Sequence, residues 1–335
     1  MRQSNFELLR IICIILIILM HITACAFTTS NNLNKLLILG INTIGNTGVT
    51  IFILISGYFS IQFNIRKLII TLCTIWFYSI TSYIFLLCTK QSTIQLSDTI
   101  TTFFPVLRDK YWFITCYIIL YCLSPYLNRI VYSLSKKEFE LLLAILSFFF
   151  VISPTFLYNE ILNDGGKGII NLTLIYLIGQ YIRTYGVPLI IKKYSLAILL
   201  ISLFCIFCLN TTFTFSKEKI ILKFAHDNSL FILISSITFF LQISKWNYSS
   251  QFINKMAQYV FPLYLIQALL TTLFAESLTT YINHSTFIIY VLSGCIFICL
   301  ITLIVEKIRK ILFQKVNEKI AIHIENILLS LKNFK

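Results

Sequence analysis

The sequence predicts an all-α fold: a polytopic membrane helix bundle of about ten transmembrane helices, with both termini cytoplasmic. Three observations predict it. First, 58% of the 335 residues are hydrophobic and only 12% are charged, where a soluble domain carries about 25% charged residues. Such a chain cannot cover a water-facing surface, which excludes ordinary soluble enzymes, secreted modules and disordered scaffolds. Second, the apolar residues gather into ten windows near membrane-spanning length, about 17–25 residues each. Third, Lys and Arg are unevenly divided between alternate loops. Eighteen fall in the loops that include both termini and eight in the other set. This bias places the richer set in the cytoplasm. The net charge of +14 therefore reads as a cytoplasmic collar, with the lipid bilayer as its partner and no nucleic acid.

The windows run, in order, Leu8–Phe27, Leu37–Phe63, Leu68–Cys88, Trp112–Tyr132, Leu141–Leu157, Ile169–Tyr185, Ser195–Thr212, Ser229–Ile243, Tyr259–Ala275 and Thr286–Val305. The first resembles a signal peptide, ending in Ala24-Cys25-Ala26, but Glu7 and Arg10 are out of place in one. It is expected to remain as a span. Asn42, Asn46 and Gly48 weaken the first half of the second window. The eighth window is short. The ten cysteines lie mostly within spans, where small apolar residues pack helices together. Cys205 and Cys208 have CxxC spacing, a weak signal in an apolar helix. One membrane domain is expected over residues 1–306. Beyond it, Ile308, Ile311, Leu312, Val316 and Ile320 recur three or four apart among lysines. That pattern predicts a basic amphipathic tail, residues 307–335, on an anionic leaflet.

Ionisable residues inside spans cost about 2.5–3.5 kcal/mol at a helix centre, so they are the first place to seek function. The first window holds Glu7, Arg10 and His21. Glu7 and Arg10 are three apart and can pair. Arg10 and His21 are eleven apart, which is three turns plus about 20° and a rise of about 16 Å. All three therefore share one stripe. Arg10 is expected near the cytosol and His21 in the outer half of the bilayer. No His and carboxylate cluster occurs within a span, so no metal is expected. His226 and Asp227, before the eighth span, are secondary candidates for acceptor binding. Gly165-Gly166-Lys167-Gly168 lacks the spacing of a phosphate loop and reads as a flexible outer loop.

Six segments in order carry a family resemblance. They are Ser4-Asn5-Phe6-Glu7-Leu8-Leu9-Arg10 with His21 after ten further residues; Val49 to Ser56-Gly57-Tyr58-Phe59; Tyr111-Trp112-Phe113 to Ser124-Pro125-Tyr126-Leu127-Asn128; Leu174 to Gly179-Gln180-Tyr181-Ile182-Arg183; Asn228-Ser229 to Phe239-Phe240; and Val305-Glu306-Lys307-Ile308-Arg309. Together they resemble the integral-membrane acyltransferase-3 family across nearly the whole chain. One segment departs from it. Where the family often ends Ile-Tyr-Leu-Ile in His, this chain has Gln267, which cannot titrate but can hydrogen-bond a sugar.

The resemblance implies an enzyme of a bacterial-type inner (plasma) membrane that moves an acyl group, usually acetyl, from cytoplasmic acyl-CoA to a hydroxyl. The acceptor would be a cell-surface polysaccharide or a lipid-linked glycan. Acetyl-CoA is a donor substrate, and no bound cofactor is implied. His21 would be the general base, or would carry the acyl group covalently; Arg10 would meet the CoA phosphates and Glu7 would orient Arg10. Ser56, Gly57 and Arg66 are expected to bind acyl-CoA with Arg10, and Tyr111, Trp112 and Gln267 to bind the acceptor. Trp112 and Tyr111 read equally as interfacial anchors. A second reading stays open, a multispan exporter or flippase of glycan or lipid precursors. Paired carboxylates within spans would favour that carrier, and this chain has few acids there.

Overall fold

The computed structural model describes residues 3–333. Arg2 and Lys335, both counted in the charge collar, lie outside the described residues. The described residues are helical, with no strand. Eight helices are long and apolar enough to cross a membrane, so the chain is a multi-pass membrane protein. Two more of the expected spans, α8 (Ile169–Tyr185) and α10 (Leu230–Ser244), are shorter, at 17 and 15 residues.

Helix α1 (Ser4–Ala24) is the hub. It packs against α2 (Asn32–Gly45), α3 (Thr47–Tyr58), α10, α12 (Val260–Tyr281) and α13 (Phe287–Asn333). Leu9, Cys13 and Ile18 are fully buried in this core. The Glu7–Arg10–His21 stripe is thus wrapped by protein on several sides.

The second expected span is one 27-residue helical stretch, Asn32–Tyr58, with a single interruption at Asn46 between α2 and α3. The chain breaks at Asn46, whose Nδ2 donates to the Asn42 carbonyl oxygen at 2.8 Å. A polar side chain that bonds its own backbone competes with the helix, and here it ends α2 one turn after Asn42. The interruption falls in the half of the window that Asn42, Asn46 and Gly48 weaken. Helix α3 runs unbroken through Gly57 to Tyr58.

Gly57 has another use. Helices α3 and α8 touch backbone to backbone there. A Cβ on Gly57 would sit 2.1 Å from the Tyr176 carbonyl oxygen, and one on Gly179 would sit 2.5 Å from that of Leu54. Two small residues let the helices meet without side chains between them. Tyr176 Oη then donates to Asn128 Oδ1 at 2.7 Å and accepts from the Ile61 N–H at 3.0 Å. This network ties α8 and α6 (Trp112–Ser133) to the turn that follows α3.

Helix α4 (Ile65–Cys88) packs on α13. Between them Glu306 is buried, with a bidentate bond from Arg309 at 2.7 Å and one from Tyr78 Oη at 2.9 Å. Three charge-assisted donors satisfy this carboxylate where water does not reach. Helix α13 does not end at that cluster. It continues as one helix to Asn333, so the basic tail is an extension of the last span. Helices α5 (Leu96–Phe103), α7 (Lys136–Ser147), which runs on as a wider helix to Leu157, α9 (Leu189–Ser216) and α11 (Gln251–Met256) complete the bundle.

Candidate active site

Helix α1 carries the expected ion pair, with Arg10 Nη1 2.9 Å from Glu7 Oε1. Arg10 opens into a cavity of about 520 Å³. Ile14 and Ile17 of α1 continue its wall. Val49, Phe52 and Ser56 of α3 join them, as do Lys67 of α4, Phe113, Ile114 and Tyr117 of α6, and Val260, Phe261 and Tyr264 at the start of α12. Its cations are Arg10 and Lys67; the rest of the wall is apolar or neutral. A second cavity, of about 420 Å³, holds Met20, His21 and Ala24 of α1. Asn42 and Asn46 at the helix break line it, with Asp164, Gly165 and Lys167 from one loop and Leu222, Ala225, His226 and Asp227 from another.

The two cavities therefore follow each other along one helix. Ile17 ends the first and Met20 begins the second. Three residues rise about 4.5 Å, so the wall between them is about one side chain thick. A group entering past Arg10 and another arriving at His21 would meet across it.

Beside His21 stands Gln267 of α12. It is 2% exposed, and its side chain is within hydrogen-bonding reach of the imidazole. The charge that bears on His21 is Lys167. The Lys167 ammonium lies 5.7 Å from the centre of the Trp112 ring, which brings that ring toward the outer cavity.

The loop holding Lys167 is locked. Gly165 and Gly166 have positive φ, +62° and +81°. Gly166 lies so close to the second loop that a Cβ would come 2.4 Å from the Asn228 nitrogen. The Gly166 N–H donates to Asp164 Oδ1 at 2.8 Å, Asn228 Nδ2 to Glu160 Oε1 at 3.0 Å, and Asn171 Nδ2 to the carbonyls of Gly166 and Asp227. The flexible loop expected from its glycines is a fixed wall of the cavity; left-handed backbone and close approach explain the glycines.

Asp227 is 7% exposed and lines this cavity. Burial pushes its carboxyl up to about 7, with Lys167 pulling it down and Asp164 pushing it further up. His226 is held below the usual imidazole range by burial, with Glu160 opposing and Lys167 and Lys223 adding to the effect. The sign for Asp227 is that of a raised acid: its folded pKa lies above its unfolded one, so it costs stability as pH rises from about 4 through about 7. Asp227→Asn is therefore expected to melt higher than wild type in detergent at pH 8 and alike at pH 4. A pH-independent difference would contradict the shift.

Of the sequence-predicted residues, Arg10 and Ser56 line the first cavity, with Glu7 paired to Arg10. His21 lines the second, with Gln267 beside it but not in the wall, and Trp112 lines neither. Gly57, Arg66 and Tyr111 line neither. Gly57 is spent on helix contact, and Tyr111 is 6% exposed against Ser82. Lys67, Tyr117, Tyr264, Asp164 and Lys167 were missed. Lys67 sits beside Arg66, and a pair at the start of a helix does not reveal which one turns inward.

Comparison with known proteins identifies the family. A family model described as an acyltransferase domain matches residues 3–307. No curated protein and no solved structure matches the chain. With a match over nearly its whole length, the chain belongs to the acyltransferase-3 family and is a multi-pass membrane acyltransferase.

Proposed function

We propose that the protein is an O-acetyltransferase of the inner or plasma membrane. It crosses the membrane ten times with both termini in the cytoplasm, so the Arg10 cavity receives acetyl-CoA from the cytosol and the His21 cavity receives the acceptor from outside. The acceptor is a hydroxyl of a cell-surface polysaccharide or lipid-linked glycan. The observation that carries this reading is the pair of cavities, end to end on α1, with Arg10 in one and His21 in the other. A volume of about 520 Å³ lies within the usual range for small-molecule sites, about 300–1,000 Å³.

The chemistry follows from the residues. Arg10 and Lys67 meet the donor's phosphates, and the guanidinium suits them through paired donors. Glu7 fixes Arg10 in place through its 2.9 Å bond. The apolar walls of Ile14, Ile17 and Phe52 accept the pantetheine arm and its thioester. A sugar hydroxyl needs a base that titrates near neutrality, and histidine is that base. His21 takes the hydroxyl proton as the oxygen attacks the thioester carbonyl; the C–S bond breaks and CoA leaves as the thiolate, which then takes a proton. Gln267, held beside His21, hydrogen-bonds the incoming sugar.

The test uses membranes from the native host and labelled acetyl-CoA. Label should enter a glycan fraction and be released by mild base. Normal labelling in membranes lacking the protein, with the glycan failing to reach the surface, would favour the carrier instead. Arg10→Lys and Arg10→Ala should raise the KM for acetyl-CoA, the alanine by about tenfold or more, because a charged hydrogen bond to phosphate is lost. An unchanged KM would remove Arg10 from donor binding.

A further inference from the structure

We propose that Asp227 is the second acceptor-binding group of the outer cavity: its carboxylate takes a hydrogen bond from a hydroxyl next to the one His21 deprotonates, so the acceptor is a polyol carrying two neighbouring hydroxyls. This rests on the acyl-transfer reading and goes beyond it by naming what the acceptor must present.

Two carboxylates line the cavity that holds His21. Asp164 is already engaged, accepting the Gly166 N–H at 2.8 Å. Asp227 is 7% exposed, its side chain accepts no hydrogen bond from the described residues, and it borders the same space. A buried carboxylate normally gathers donors or an ion pair, because leaving it bare costs several kcal/mol. Elsewhere this protein obeys that rule: buried Glu306 has three donors. Asp227 breaks it at a place that opens onto His21.

The backbone around Asp227 is built to hold it. Asn171 Nδ2 donates to the Asp227 carbonyl oxygen at 3.2 Å, the Ser229 N–H to the His226 carbonyl at 2.9 Å, and Gly166 packs against Asn228. The side chain is therefore aimed by a rigid turn and left open at its tip. Hydroxyls are the donors such a tip accepts from. Its neighbour His226 is committed elsewhere, 4.0 Å from Glu160, and is half exposed. Across the cavity, the amides of Asn42 and Asn46 add neutral polar contacts. That lining suits the several hydroxyls of a sugar ring better than a single alcohol.

The experiment uses host membranes carrying the full chain at matched levels, with labelled acetyl-CoA as the probe and base-labile label in the glycan as the readout. Asp227→Ala should lower labelling about 10- to 100-fold, the effect of losing a hydrogen bond to a charged group, while the apparent KM for acetyl-CoA stays that of wild type. Asp227→Asn keeps an acceptor oxygen and should fall between the two. His21→Ala, run alongside, reports the underlying reading. Lost labelling in His21→Ala with labelling in Asp227→Ala within twofold of wild type would overturn this inference alone. A loss in Asp227→Ala accompanied by a raised acetyl-CoA KM would also overturn it, since that marks a disturbed site and not a missing acceptor contact. Full labelling in His21→Ala would overturn the acyl-transfer reading beneath it.

Discussion

Replacing His21 by alanine is expected to abolish acetyl transfer, with a loss of about 10²- to 10⁴-fold, the usual contribution of a positioned general base. The readout is ester-linked acetate on the surface glycan of the native host, compared at equal protein levels. The structure makes the test clean. His21 lines a cavity and is only partly buried, so its removal enlarges open space without cutting the core. The residues that hold α1 in place, Leu9, Cys13 and Ile18, lie on other positions of the helix. Protein levels should therefore hold. His21→Gln should be nearly as inactive as the alanine variant, because an amide fills the space but cannot take a proton. Equal acetate in wild type and His21→Ala would sink the catalytic assignment. Activity in His21→Gln alone would show that shape, not basicity, is what the position supplies.

That expectation comes from a stripe that was legible without coordinates. The spacing of Glu7, Arg10 and His21 needs only the helical repeat, and the 2.9 Å pair between the first two follows from it. Hydropathy likewise marked the spans, since a membrane segment is a compositional event. The cavities were not legible. They are made where Phe52, Phe113 and Tyr264 converge on α1, residues up to about 250 positions away in the chain, and no local pattern records that meeting. Arg66 and Lys67 show the limit at one residue: both are basic, adjacent and at a helix start, yet only Lys67 lines the cavity. The loop Gly165–Gly168 shows another. Glycine signals backbone freedom equally well when the chain is mobile and when it is pressed against a neighbour, and here it is pressed against Asn228. The tail shows a third limit: its charge pattern does not say where a helix stops, and α13 runs straight through Glu306.

Gly57→Ala is expected to be the most damaging single methyl added to this protein. The new Cβ would lie 2.1 Å from the Tyr176 carbonyl oxygen and 2.9 Å from its carbon. Both obstacles are backbone, so no rotamer change relieves the contact, and α3 and α8 must separate. Overpacking a core costs about 1–3 kcal/mol when side chains can yield; here they cannot, which places the cost at or beyond the upper end. The separation also reaches the site. Ser56 and Phe52, on the same helix as Gly57, line the Arg10 cavity, while Tyr176 anchors the turn at Ile61 and the side chain of Asn128. Moving one helix from the other breaks that bond network and displaces the cavity wall together. Gly57→Ala should thus lower the melting temperature in detergent by about 5 °C or more and reduce acetyl transfer in whatever protein remains folded. Gly40→Ala is the matched control. Its Cβ would meet nothing nearer than the Phe207 ring at 4.0 Å, and replacing glycine within a helix favours the helix by roughly 0.5–1 kcal/mol. It should melt at or slightly above the wild-type temperature. If Gly57→Ala melts with Gly40→Ala, the close contact between α3 and α8 is wrong, and with it the account of why a glycine follows Ser56.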